Sequence, residues 1–374
     1  MMTRAPQAGV VYLALVALSA SYPVAAQEKW KGSIVKEGDV TIVKNPKEPI
    51  YNTPILELKE ELSIGGPEAQ GQAVFRRMGE FVGDDGGNFY ISAVLGDDQI
   101  KVFDKTGRFL RTIGRHGQGP GEFDGIGPLS FVRATGELVA ANLRLRCLTF
   151  FDSKGTFLRD LRLQEPKYAS ARLDSMGRIC TTGSGFEIGK PYYETRIVTV
   201  TPEGSPASVL ARAPGQVKDR IGIGFPNMSW AFDFNDNLVV GLSEDYDVQV
   251  FKAGTNKLFM RIRKEFNQIP ISEEELRQFK KPEYSSMPFD FAKLHSAFWN
   301  LFTSDTGHLF VTTWEKAEDG RFIHDVFDKE GRLVARMPFK SRGLKIAGSK
   351  YYALEEDDDG FQYVKRYAVT WKIK

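Results

Sequence analysis

Apolar positions along this chain fall in short alternating runs, each bounded by Gly, Asn, Asp or Pro. That is the pattern of strands and turns rather than of helices. The clearest stretch is Asp84 to Phe123. Asp84-Asp85-Gly86-Gly87-Asn88 precedes one apolar run, and a second run ends at Phe103-Asp104. Asp104-Lys105-Thr106-Gly107 then leads into Phe109 to Ile113 and a glycine-rich loop. Gly and Asn supply the positive φ of tight turns, and β-branched and aromatic residues suit a pleated surface, so this stretch predicts three strands.

The pattern repeats. Turns of one kind begin at Asp104, Asp152, Thr201, Lys252 and Asp328, separated by 48, 49, 51 and 76 positions. The first three intervals match a unit of four strands, the period of a propeller blade. The long interval predicts an insertion, set at 264–294. Within it, Ile271 to Lys281 starts with a capping Ser272, continues with Glu273, Glu274 and Glu275, and stops before Pro282, which predicts a short helix. A second kind of turn recurs at Gly87-Asn88, Gly136-Glu137, Gly177-Arg178, Asp236-Asn237, Gly307-His308 and Gly348-Ser349, which predicts six blades. The last unit ends one strand short, and Ile55 to Ile64 alternates as ILELKEELSI. The expectation is therefore an all-β, six-bladed β-propeller with one short helical insertion, its last blade closed by an N-terminal strand that removes an open edge.

The first blade resembles an NHL-type repeat in Asp85, Gly87-Asn88, Tyr90-Ile91, Gln99-Ile100, Val102-Phe103-Asp104, Gly107, Ile113-Gly114 and Gly117 to Phe123. Val43 to Ile50 and the helix-bearing insertion are also similar to the exported bacterial six-bladed propellers of that group. The resemblance implies architecture and export; activity varies too widely within such folds to follow from it.

At 374 residues the chain fits one large all-β domain, and a formal net charge of +2 lacks the basic excess that drives nucleic-acid binding. Arg4, an apolar run from Ala8 to Ala20 and the small residues Val24-Ala25-Ala26 predict a signal peptide over 1–26, cleaved after Ala26. The run is broken by Ser19, Ser21 and Pro23 and is short for a membrane span. A periplasmic or secreted monomer over 27–374 is expected, with no membrane span after cleavage. The two cysteines, Cys147 and Cys180, each sit in an apolar strand pattern and read as separate buried thiols.

Loops at one end of a propeller channel are where ligands usually bind. The alignment of blades brings there Arg115, His116 and Asp124, then Arg144 and Arg146, Glu244, Asp245 and Tyr246, Trp314 and Glu315, and Glu355 to Asp359. Mixed charge beside aromatics suits a polar small molecule, a peptide or an envelope protein. Gly117 to Gly121 has no Lys-Ser/Thr and no following helix, which argues against a phosphate loop. Gly183-Ser184-Gly185 is not a nucleophile elbow. The run Glu355 to Gly360 has the charge of a calcium loop without its ligand alternation, and reads as a solvated turn.

The expected function is a ligand- or protein-binding module acting through the channel mouth. Six-bladed relatives also include calcium-dependent lactonases and esterases. That resemblance implies a second reading, a metal-dependent hydrolase with calcium on Asn142, Glu244, Asp245 and Glu315. NHL-type amidating lyases hold zinc on histidines, but His116, His295, His308 and His324 are not aligned for such a site. The insertion is a further candidate, as a lid or a docking element.

Overall fold

The computed structural model describes residues 29–164, 170–186, 192–217, 221–277, 279–281, 286–339 and 342–373. The expected signal peptide and its cleavage point after Ala26 lie outside them. Six antiparallel sheets follow one another around a ring. Blade 1 is Met78–Gly83, Phe89–Ala93, Gln99–Phe103 and Phe109–Ile113; blade 2 is Ile126–Val132, Glu137–Asn142, Cys147–Phe151 and Phe157–Arg162. Blade 3 is Arg172–Leu173, Ile179–Phe186, Tyr192–Val200 and Pro206–Val217, and blade 4 is Met228–Phe232, Leu238–Leu242, Asp247–Phe251 and Leu258–Lys264. Blade 5 is Asn300–Thr303, Leu309–Lys316, Phe322–Phe327 and Leu333–Phe339. Blade 6 joins Arg342–Ala347, Lys350–Glu356 and Gln362–Trp371 to the N-terminal strand Leu56–Gly65, as the alternation predicts.

The turns explain why this sequence folds in units. Asp104 Oδ1 accepts the backbone N–H of Thr106 at 2.9 Å and of Arg108 at 3.1 Å, locking the turn while Gly107 supplies φ +86°. Together with the Thr106 hydroxyl, these donors hold the Asp104 carboxyl down at about 2. Asp152 and Asp328 repeat the arrangement, and Thr201 does so with its hydroxyl. Lys252 offers no such acceptor, and that turn instead places Asn256 at φ +56°.

Packing completes the ring. Buried residues form one cluster at each junction: Val139, Leu148, Ile179 and Val198 between blades 2 and 3, for example, and Ile64, Val364, Phe89 and Ile91 between blades 6 and 1. Burying Val, Leu, Ile or Phe contributes roughly 1.5–3 kcal/mol per side chain, so these inter-blade clusters are the main source of stability. Cys147 and Cys180 are buried free thiols in different blades; burial raises both, Cys180 to about 12.

Three features were not anticipated. First, Ser33–Glu37 and Val40–Asn45 form a hairpin on the outside of blade 4, with Val40–Asn45 running parallel to Leu258–Lys264. The chain then crosses to blade 5, where Ile50 and Tyr51 donate to the carbonyls of Leu333 and Val334, before entering blade 6. Residues 29–65 thus strap three consecutive blades.

Second, the closing strand carries a bulge. Glu60 pairs with Tyr367 and Leu62 with Arg366, leaving Glu61 as the extra residue. An unbroken strand would put Leu56, Leu58, Leu62 and Ile64 on one face. With the bulge, Leu56 and Leu58 pack toward blade 5, and Leu62 and Ile64 toward blade 1.

Third, the insertion, which contains the expected helix shortened to Glu273–Arg277, is tied to the segment before blade 4: its Phe289–Phe291 pairs in parallel with Ile221–Ile223. Ser272 Oγ accepts the Glu275 N–H at 3.2 Å while Glu275 accepts from the Ser272 N–H at 2.9 Å, a reciprocal cap.

Candidate functional site

Successive strands within each blade are antiparallel, so the end of the ring that receives the blade-to-blade connections also receives the turns between second and third strands. All the residues singled out from the sequence lie at this end. They do not converge on one point.

Most of the charges are matched within their own loops. Arg115 pairs with Glu122 at 2.6 Å and Arg144 with Asp124 at 2.9 Å. His116 Nδ1 lies 2.9 Å from Asp98, a buried carboxylate that also accepts the backbone N–H groups of Gly125 and Ile126. Arg146 contributes its backbone: at φ +56° its carbonyl accepts the Leu163 N–H. Asp357 accepts from the N–H groups of Asp359 and Phe361 and from the Tyr363 hydroxyl, so the acidic run is a self-bonded turn.

Tyr246 is a core residue rather than a ligand contact. It is fully buried at φ +48°, and its hydroxyl donates to Asp325 at 2.5 Å. Burial, and then the Asp325 charge, push this phenol far above its usual range. Asp325, itself fully buried, also meets Lys264 at 3.2 Å and Arg336 at 2.8 Å, and Arg336 reaches Glu315 at 2.7 Å. Two cations thus balance two carboxylates at the junction of blades 4 and 5.

That balance, with two other placements, disassembles the calcium set. Glu315 is committed to Arg336. Asn142, buried, accepts the Asp124 N–H at 3.1 Å and donates to the Glu122 carbonyl at 3.0 Å, closing the connection between blades 1 and 2. Glu244 and Asp245 sit exposed at a turn of blade 4. Among the described residues, no three His, Cys, Asp or Glu side chains gather as a set of metal donors.

What does come together is an aromatic group where the insertion rejoins blade 5. His295, buried, stacks on Trp314 with centroids 4.1 Å apart and 16° between planes. Trp299 and Phe322 pack on the same indole. His295 Nε2 lies 3.2 Å from Glu275 of the insertion helix, and Trp299 Nε1 donates to the Thr313 carbonyl. Two buried atoms here, His295 Nδ1 and Trp314 Nε1, have no hydrogen-bond partner. Leaving such atoms unsatisfied costs about 1–3 kcal/mol each, so they mark a place where a polar group fits.

A second group lines the channel itself. Arg172, on the first strand of blade 3, pairs with Glu80, on the first strand of blade 1, and its guanidinium stands 5.4 Å from the Trp230 ring of blade 4. Sequence reasoning confined to loops found Trp314 but not the residues stacked around it, and missed the second group. The available signal was a lone charge within a first strand, as in Met78-Gly79-Glu80-Phe81-Val82, and a histidine placed just before an aromatic strand start.

Comparison with known proteins bears on the fold. Residues 86–162 match a family model described as a 6-bladed beta-propeller. No curated protein sequence matches the chain. Among solved structures, a Bacteroides fragilis protein described as exported superposes with a TM-score of 0.56 at 14% identity, covering 89% of this chain and 100% of that one. A Bacteroides vulgatus protein gives 0.49 at 13%, covering 84% and 99%. A gluconolactonase from Xanthomonas campestris gives 0.41 at 15%, covering 76% and 82%. The last two likenesses are too loose to carry an argument. By its strand order, its matched segment and its likeness to the first of these structures, the chain is a six-bladed β-propeller.

Proposed function

We propose that the protein is an exported binding module that takes a polar, ring-shaped or amide-bearing ligand, such as an envelope sugar or peptide, where the insertion meets blade 5. The observation that supports this reading is the contrast at the mouth. Arg115, Arg144 and Glu315 are paired within the protein, while His295 Nδ1 and Trp314 Nε1 are buried without partners beside stacked aromatic faces. One indole donor, one imidazole nitrogen and flat apolar surfaces recognise a ligand that both stacks and hydrogen-bonds. These groups supply recognition, and the reading is of a binding site.

The test is a thermal-shift and fluorescence screen of the protein against envelope sugars and peptides, followed by Trp314→Phe, which keeps a smaller aromatic ring and removes the N–H. A ligand should raise the unfolding midpoint, and the variant should weaken its binding about tenfold, the scale of one lost hydrogen bond. No hit in the screen, a hit indifferent to Trp314→Phe, or chelator-sensitive turnover of a lactone would each overturn the proposal.

A further inference from the structure

Between blades 5 and 6 the bulged closing strand leaves a half-open cavity of about 420 Å³. That lies within the size range of small-ligand pockets. Its floor is apolar: Leu56 and Leu58 of the closing strand, Met337 and Phe339 of blade 5, and the Tyr351 ring of blade 6. Its polar wall is built by three strands of blade 6. Lys365 lies 3.0 Å from Glu60 and 3.6 Å from Glu355, and the Tyr367 hydroxyl donates to Glu355. Arg321, also on the lining, is paired with Asp319 at 2.6 Å.

The charge count on this wall is uneven. Glu60 and Glu355 share a single lysine, and Arg321, on the lining, is paired with Asp319 just beyond it, so Glu60, Glu355 and Asp319 together outnumber Lys365 and Arg321 by one. Glu355 is the better placed of the two. Its side chain is only 14% exposed, the lysine stands 3.6 Å away, and it has lone pairs beyond the one taken by Tyr367. Beside it lie the rings of Tyr367 and Tyr351, whose faces attract a cation.

Alternation along the closing strand places Glu60 on the cavity side beside Tyr367, with Leu56 and Leu58, and Glu61 on the other face. There Lys350 holds Glu61 at 2.7 Å and Arg366 at 3.3 Å; the bulge then turns Leu62 away from the cavity.

We propose that this cavity binds a small organic amine, its ammonium group on Glu355 and its apolar body against Leu56, Leu58, Met337 and Phe339. An ammonium supplies the missing positive charge and up to three donors to a half-buried carboxylate. An anion of the same size would face the surplus carboxylate instead. This inference concerns a different cavity from the His295–Trp314 group, and neither depends on the other.

Calorimetric titration of the whole protein with phenethylamine, and with 3-phenylpropionate as the anion of similar body, decides the matter. The amine should bind and the anion should not. Glu355→Gln should weaken the amine at least tenfold, and Leu58→Trp, which fills the floor, should abolish binding while an unchanged unfolding midpoint shows the fold intact. No binding of the amine, equal binding of the anion, or amine binding untouched by Leu58→Trp in the folded variant would overturn the proposal. If Glu355→Gln does not fold, the Leu58→Trp comparison and the anion titration still decide.

Discussion

Asn45→Ala is expected to lower the stability of the protein by about 3 kcal/mol, although residue 45 lies on an outer strand far from the channel. Asn45 is buried, and all of its polar valences are used. Nδ2 donates to the carbonyls of Gly331 at 2.9 Å and Arg263 at 3.2 Å, and Oδ1 accepts from the Leu333 N–H at 2.8 Å and Trp30 Nε1 at 3.1 Å. One side chain therefore ties blade 4, blade 5 and the start of the strap. Alanine strands the buried Leu333 N–H, and that single orphan costs about 1–3 kcal/mol before the remaining losses are added. Chemical denaturation should show a lower midpoint at an unchanged slope. A loss under about 0.5 kcal/mol would mean that the strap is peripheral to folding. Asn45→Asp is the informative companion: it keeps both acceptor contacts and turns both donor contacts into repulsions, so it too should destabilise.

The second large effect depends on pH. His324 is fully buried among Phe302 and Phe339, with Nδ1 donating to the Phe322 carbonyl and Nε2 unpartnered. Burial lowers its pKa from 6.5 to about 4, against smaller opposing effects of the Phe322 carbonyl and Asp325. Below pH 6.5 the unfolded chain takes up a proton that the folded chain refuses. The contribution is thus intact above 6.5 and is lost progressively as pH falls toward 4, by about 3 kcal/mol at 1.36 kcal/mol per unit. His308, also lowered by burial, acts in the same direction. The turn carboxylates act lower: Asp104, depressed to about 2, withdraws its contribution only as pH drops below about 4. Unfolding free energy measured from pH 7.5 to 4 should therefore fall in the wild type and fall much less in His324→Phe. Parallel curves for the two proteins would show that His324 is not the group responsible.

How far the sequence was legible depended on whether a signal was local. Blade 1 was plain because Asp84, Gly87, Asp104 and Gly107 sit within a few residues of the groups they organise. Blade 4 was harder, since Lys252 replaces the accepting side chain at its turn. The strap was hidden for a different reason. Val40–Asn45 finds its partner at Leu258–Lys264, and a parallel pairing across that separation leaves no turn to read. The alternation over Ile55 to Ile64 located the closing strand correctly but implied a single apolar face, because a bulge at Glu61 is set by pairing with Arg366 and Tyr367 and not by its own residue type. At the candidate site the difficulty was whether a polar side chain was already occupied. Asn142 and Tyr246 look like ligand contacts in sequence, yet both are consumed by the protein. His295 and Trp314 come from an insertion and a blade, and only the fold stacks them.

The strap also sets a timetable for synthesis. Residues 40–45, beyond their local hairpin with 33–37, cannot join a blade until residues 258–264 exist, and residues 56–65 cannot until 362–371 are made. At 5–20 residues per second, the earliest part of the described chain waits on the order of tens of seconds with Ile42, Val43, Leu56 and Leu58 uncovered. Blades 1 to 3 can form in the meantime from hairpins close in sequence, but blade 6 is completed only when the first of these strands meets the last. Commitment to the native ring therefore waits for residues 362–371, and until then the molecule is a row of sheets with its two ends free.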